Sequence, residues 1–124
     1  MERDMELVRR ILIQTAAADA DRIRTTFVSV DGYDDRTVAR HLELMHEAGL
    51  IDANLLTAEG VGALRGAVNR ITWAGYDFLD AARNDTVWAR TRSLVAEKGG
   101  AVPFEILKEL LVHFARGLLL PQAQ

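Results

Sequence analysis

The stretch "HLELMHEAGLID", residues 41–52, constrains the fold more than any other part of the chain. Val38, Leu42 and Met45 recur at the spacing of one helical face, and Arg36, Arg40, Glu43 and Glu47 fall on the opposite one. Asp34 or Asp35 caps this helix, because a short carboxylate accepts from the free N–H groups of a first turn. Ala48-Gly49 ends it, since glycine takes the left-handed conformation without a Cβ penalty. "LIDANLLT" then reads as a strand, "AEGVGALRGA" with its three glycines as a mobile loop, and "VNRITW" as a returning strand. A helix, a glycine stop and two strands joined by a pliable tip make a wing. The expected class is mainly α with a small β wing. Residues 1–83 form a winged helix-turn-helix-like domain, and residues 84–124 a C-terminal helical extension that packs on it or forms a dimer contact.

The other elements follow from caps and periodicity. Asp4 caps a first helix to about Ala18, with Leu7, Val8, Ile11, Leu12 and Thr15 inward and Arg3, Arg9 and Arg10 toward solvent. "RIRTTFVSV" predicts a short strand over Thr26 to Val30, with "DGYD" as the turn after it. Only Asp31 to Asp34 remain before the next helix, too few for the short helix that precedes a recognition helix. The third helix of the core then comes from elsewhere, such as Trp73 to Arg83. Thr72 caps that segment, whose packing face is Trp73, Tyr76, Phe78, Leu79 and Ala82. Asn84 or Asp85 restarts a helix with Val87, Trp88, Thr91, Leu94 and Val95 inward, ended by Gly99-Gly100. Pro103 suits the first turn of a last helix reaching about Leu119, with Pro121 beyond it.

Charge and composition exclude several classes. The chain has 124 residues and a net charge of −3. Residues 1–73 hold 9 Lys/Arg against 12 Asp/Glu, while residues 74–124 hold 6 of each. The winged half is therefore the acidic half, against expectation for a nucleic-acid binder. The absence of cysteine rules out disulfides, thiolate metal sites and a cysteine nucleophile. A charged start is unlike a signal peptide, and Lys108, Glu109, His113 and Arg116 interrupt the apolar stretch near Leu107 to Leu120. A cytoplasmic protein with no membrane segment is expected. His41 and His46 lie about 140° apart on a helix, so they do not form a zinc pair. His41 is expected beside the core or on a backbone carbonyl. The carboxylate pairs Asp19/Asp21 and Asp34/Asp35 read as loop and helix cap. No nucleophile elbow, phosphate loop or dinucleotide fingerprint is present, so neither enzyme activity, a cofactor nor a metal is expected.

Binding residues remain. Arg36, Thr37 and Arg40 open the second helix, and Arg65 and Arg70 lie on the wing; a guanidinium fork holds guanine or phosphate bidentately. Two readings of this cluster stand: DNA contact, or a solvated face in which Arg36 and Arg40 pair with Glu43 and Glu47. Trp73, Tyr76, Phe78 and Trp88 read as core rather than as a base-stacking platform. In the last helix Leu107, Leu110, Leu111, Phe114 and Leu118 form one stripe, with Ile106, Val112, Leu119 and Leu120 apolar outside it. A helix apolar on more than one side needs more than one neighbour. Leu107, Leu111, Phe114 and Leu118 are therefore the candidate contacts of a homodimer.

Four segments carry a resemblance: "RDMELVRRIL" at 3–12, "HLELMHEAGLID" at 41–52, "RITWAGYDFLD" at 70–80, and "RNDTVW" at 83–88 with the Gly-Gly and "PFEILKEL" that follow. Together they resemble domain-of-unknown-function family 2513, found in bacteria and phages. The chain departs from it at Tyr76, where members often have histidine, and in a longer glycine-rich loop. The resemblance implies a winged helix and a phage or prophage setting. Two functional expectations follow: a homodimeric regulator of transcription that binds double-stranded DNA, or a non-enzymatic module that binds a host or phage protein, such as an anti-defence protein.

Overall fold

Short local signals fix most element ends. In a computed structural model that describes residues 2–18 and 26–119, α1 spans Met5–Ala18 and α2 spans Asp35–Glu47. Asp4 Oδ1 accepts from the Glu6 and Leu7 N–H groups at 2.9 and 3.2 Å, and Asp34 Oδ1 from the Thr37 N–H at 2.8 Å. α2 stops on a paired-bond cap: the Leu50 N–H donates to the Met45 carbonyl at 2.9 Å and the Gly49 N–H to that of His46 at 3.1 Å. Gly49 sits at φ +79°, which glycine alone adopts cheaply. β1, Ile51–Ala58, then pairs antiparallel with β2, Gly62–Ile71, and α3, Trp73–Ala82, follows. α4, Asp85–Glu97, begins on an Asn84 cap, and α5, Phe104–Leu119, follows Pro103 directly.

The described chain divides between Tyr76 and Asp77 into two compact units. In the first, Leu7, Val8, Ile11 and Leu12 of α1 and Val38, Leu42 and Met45 of α2 are buried with Ile51, Val68 and Ile71 of the hairpin. In the second, Phe78, Leu79, Ala82, Val87, Trp88, Thr91, Leu107 and Leu111 are buried, and the Phe78 and Phe104 rings lie 5.1 Å apart.

Four expectations need correction. Residues 26–30 form no strand: a single bond, from the Val28 N–H to the Gly66 carbonyl at 2.7 Å, joins them to β2. One bond makes no ladder, whatever the β propensity of the segment. The glycine-rich segment is mostly strand, with a turn over residues 59–61 closed by the Val61 N–H on the Ala58 carbonyl at 3.0 Å. Gly66, inside β2, is a packing residue: a Cβ there would meet Leu42 Cδ1 and Leu55 Cδ2 at 2.8 Å. Arg9 is buried, with its guanidinium 3.8 Å from Glu6, rather than solvated. Trp73 and Tyr76 are not core residues, being 85% and 38% exposed. Periodicity assigned them a face, but Gly75 is the residue of this turn that points inward. A Cβ on Gly75 would come within 2.0 Å of the Leu50 carbonyl oxygen, so α3 starts directly against the backbone that leaves α2. Asp19, Asp21 and Pro121 lie outside the described residues.

Candidate recognition surface

The first turn of α2 faces the tip of the hairpin. Arg36 Nη2 donates to the Val61 carbonyl at 3.4 Å, and Arg65 of β2 pairs with Asp35 of α2 at 3.4 Å. The Arg65 guanidinium also lies 5.0 Å from the centre of the Phe27 ring. Arg40, one turn along α2, bonds the Glu43 carboxylate. Arg36, Arg40 and Arg65 are thus neighbours around one helix start. Thr37 is half-buried; its backbone N–H is held by Asp34, and its carbonyl accepts from His41.

Arg70 is elsewhere. It stands opposite Asp52 in the hairpin register and pairs with it at 2.6 Å. Five residues separate it from Arg65, about 16 Å along a strand. The structure therefore brings together three of the four arginines and separates the fourth.

Each of these guanidiniums rests on an acid or a carbonyl of its own chain. Exposed pairs of this kind contribute at most about 1 kcal/mol each, so pairing alone does not forbid a phosphate. The local sign of charge matters more. From Asp34 to Glu47 there are four carboxylates and two guanidiniums. The Asp34 carboxyl is held below the usual carboxylate range, first by the Thr37 backbone N–H, so it stays charged at neutral pH. A helix that displaces counterions from a duplex has the opposite balance. Residues 26–34 form no helix ahead of α2, and a turn over residues 31–33, closed by the Tyr33 N–H on the Val30 carbonyl at 3.1 Å, leads into it.

His41 is a structural residue. It is fully buried; Nδ1 donates to the Thr37 carbonyl at 2.9 Å and Nε2 accepts from the Asp4 N–H at 2.8 Å. Asp4 Oδ2 in turn accepts from the Tyr33 hydroxyl at 2.9 Å. Burial, then the bond to Asp4, pushes the Tyr33 hydroxyl up from its ordinary value. This network joins "RDMELVRRIL" to "HLELMHEAGLID", so two of the motifs that carry the resemblance serve folding. Only a bond across 37 residues shows this, and periodicity does not report such bonds. Among the described residues no group of three His, Asp or Glu side chains is placed to hold a metal ion.

The apolar stripe of α5 splits. Leu107 and Leu111 are 4% and 0% exposed, so they belong to the chain's own interior and are not available to a second subunit. Phe114 is half-buried with the Arg90 guanidinium 4.9 Å from its ring centre, while Leu118 is 56% exposed. Among the described residues of the first unit the exposed large apolar side chains are Phe27, Leu56, Val61, Trp73 and Tyr76.

Comparison with known proteins adds two findings. The sequence model of a family described as "Hypothetical protein (DUF2513)" matches residues 2–101, ending before α5. An uncharacterized protein of Haemophilus influenzae strain Rd is 28% identical over 110 residues, which cover 89% of this chain and 92% of that protein. No solved structure matches. No helix of the described residues is long and apolar enough to cross a membrane.

Proposed function

Taking as premise that the chain belongs to domain-of-unknown-function family 2513, we propose that it is a non-enzymatic recognition module that binds another protein. One observation carries this reading: α2 with its cap, the segment that a winged helix would turn toward DNA, holds four carboxylates against two guanidiniums, and its arginines are engaged within the chain. The exposed side chains fit the same reading. Tryptophan is the residue most enriched at the energetic centres of protein interfaces, and Trp73 is 85% exposed with Tyr76 one turn away. Affinity capture from cells that encode the protein tests it. A specific partner should be retained by the parent chain and lost with Trp73→Ser at unchanged thermal stability. Equal retention by both chains contradicts the role given to Trp73.

A second reading has one observation in its favour. Arg36, Arg40 and Arg65 gather at a helix N-terminus, where backbone N–H groups and the helix dipole attract phosphate. On that reading the chain is a DNA-binding regulator, and a complex with duplex DNA should weaken steeply with salt and with Arg36→Ala/Arg40→Ala.

A further inference from the structure

We propose that the outer edge of β1 docks a second copy of this chain, the two β1 strands pairing antiparallel about a two-fold axis at Leu55. Two hydrogen bonds fix which way the backbone of β1 points. The Ala53 N–H donates to His46 Nδ1 at 3.2 Å, so it faces away from β2. Leu55 stands opposite Gly66, whose carbonyl is turned outward to the Val28 N–H at 2.7 Å. Leu55 and Gly66 are therefore a pair that does not exchange ladder bonds, and the N–H and C=O of Leu55 point out from the open edge. By alternation those of Thr57 do the same. Among the described residues the sheet has two strands, so no strand there pairs with this edge, and His46 holds one of its N–H groups.

β1 also lacks the features that protect exposed edges. It has no proline and no lysine, and its single charge is Asp52. Both irregularities of the hairpin place the extra residue, Asn69 or Leu64, on β2, so β1 runs regular. Leu56 is 49% exposed on it.

A second copy fits this edge in one register. With Leu55 opposite the partner's Leu55, the two residues exchange both backbone bonds. Each Thr57 N–H reaches the carbonyl of the partner's Ala53, and each Thr57 carbonyl takes the partner's Ala53 N–H in place of His46, whose exposed ring swings aside. Asp52 then faces the partner's Ala58, and Asn54 faces the partner's Leu56, so no like charges meet. The Leu56 side chains lie diagonally across the axis, about 7–8 Å apart, within reach of one another. Centring the pair on Ala53 instead would set the two Asp52 carboxylates on the diagonal, where like charges repel. Centring it on Thr57 would run into the turn. This inference is independent of the partner proposed above, because it concerns a different surface and a different occupant.

Sedimentation velocity of the full chain across the micromolar range tests it, with dimer increasing as concentration rises. Thr57→Pro removes an outward N–H that β2 does not use and should weaken the dimer about tenfold or more. Thr57→Ala keeps that N–H and should associate like the parent chain. Leu55→Cys, in a chain without cysteine, should oxidise to a disulfide-linked dimer, while Ser93→Cys on α4 should not. That second measurement holds even if the proline variant fails to fold. A parent chain that stays monomeric, a dimer indifferent to Thr57→Pro, or equal cross-linking at residues 55 and 93 would overturn the proposal. So would a β1 edge that binds an extended segment of another protein while the chain itself stays monomeric.

Discussion

In residues 1–76 buried polar groups tie together segments far apart in sequence, whereas in residues 77–119 apolar side chains account for most of the interior. The first unit has His41 holding Asp4 and Thr37, Tyr33 on Asp4, and two glycines, Gly66 and Gly75, that admit close neighbours. The second has the Phe78–Phe104 ring pair, Trp88 and Leu111, with one buried hydroxyl, that of Thr91, bonded to the Val87 carbonyl at 2.8 Å. Polar networks and glycine approaches tolerate few substitutes, while an apolar interior accepts many residues of about the right volume. Two of the segments that carry the family resemblance lie wholly in the first unit, and the match to the family ends before α5.

Substitutions sharpen this contrast. Gly75→Ala should be the most damaging, because its Cβ would meet a backbone oxygen that cannot swing away. A loss above about 3 kcal/mol in urea unfolding is expected. Leu111→Ala should cost about 3 kcal/mol through the cavity it leaves. Its largest gains in amide exchange should fall in α4 and α5, and an equal gain in α1 would break the contrast. His41→Leu keeps the volume but leaves the Asp4 N–H unbonded in the interior. About 1–3 kcal/mol should be lost, with faster exchange at the start of α1. The smallest effect is one of pH. The Asp34 carboxyl lies lower in the folded chain than in the unfolded one. Its contribution to α2 is therefore complete above the ordinary carboxylate range, near about pH 4, and fades as pH falls through the folded value. The Thr37 amide resonance should report that titration, and Asp34→Asn should remove it.

The contrast also explains what could be read in advance. The caps at Asp4, Asp34 and Asn84, the stop at Gly49 and the inward faces of α1 and α2 depend on neighbours within a turn or two, so spacing reveals them. The strandlike character of residues 62–67 was hidden by glycines that serve two purposes: Gly60 and Gly62 turn the chain at positive φ, while Gly66 makes room for Leu42. The exposure of Trp73 was hidden because helical periodicity finds an apolar face but does not say whether anything covers it. The site shows the same limit. Arg36, Arg40 and Arg65 are legible as a basic set, but their carboxylate partners come partly from other elements, as Asp35 does for Arg65. Leu107 and Leu111 fitted a dimer stripe equally well until the fold placed them inside.

Titration of the chain with pooled duplex DNA at low and at moderate salt is the most direct test of the acidic character of α2 and its cap. The predicted result is no retardation at either salt concentration and no change with Arg36→Ala/Arg40→Ala. Retardation that falls steeply as salt rises, and is lost in the double variant, would contradict it.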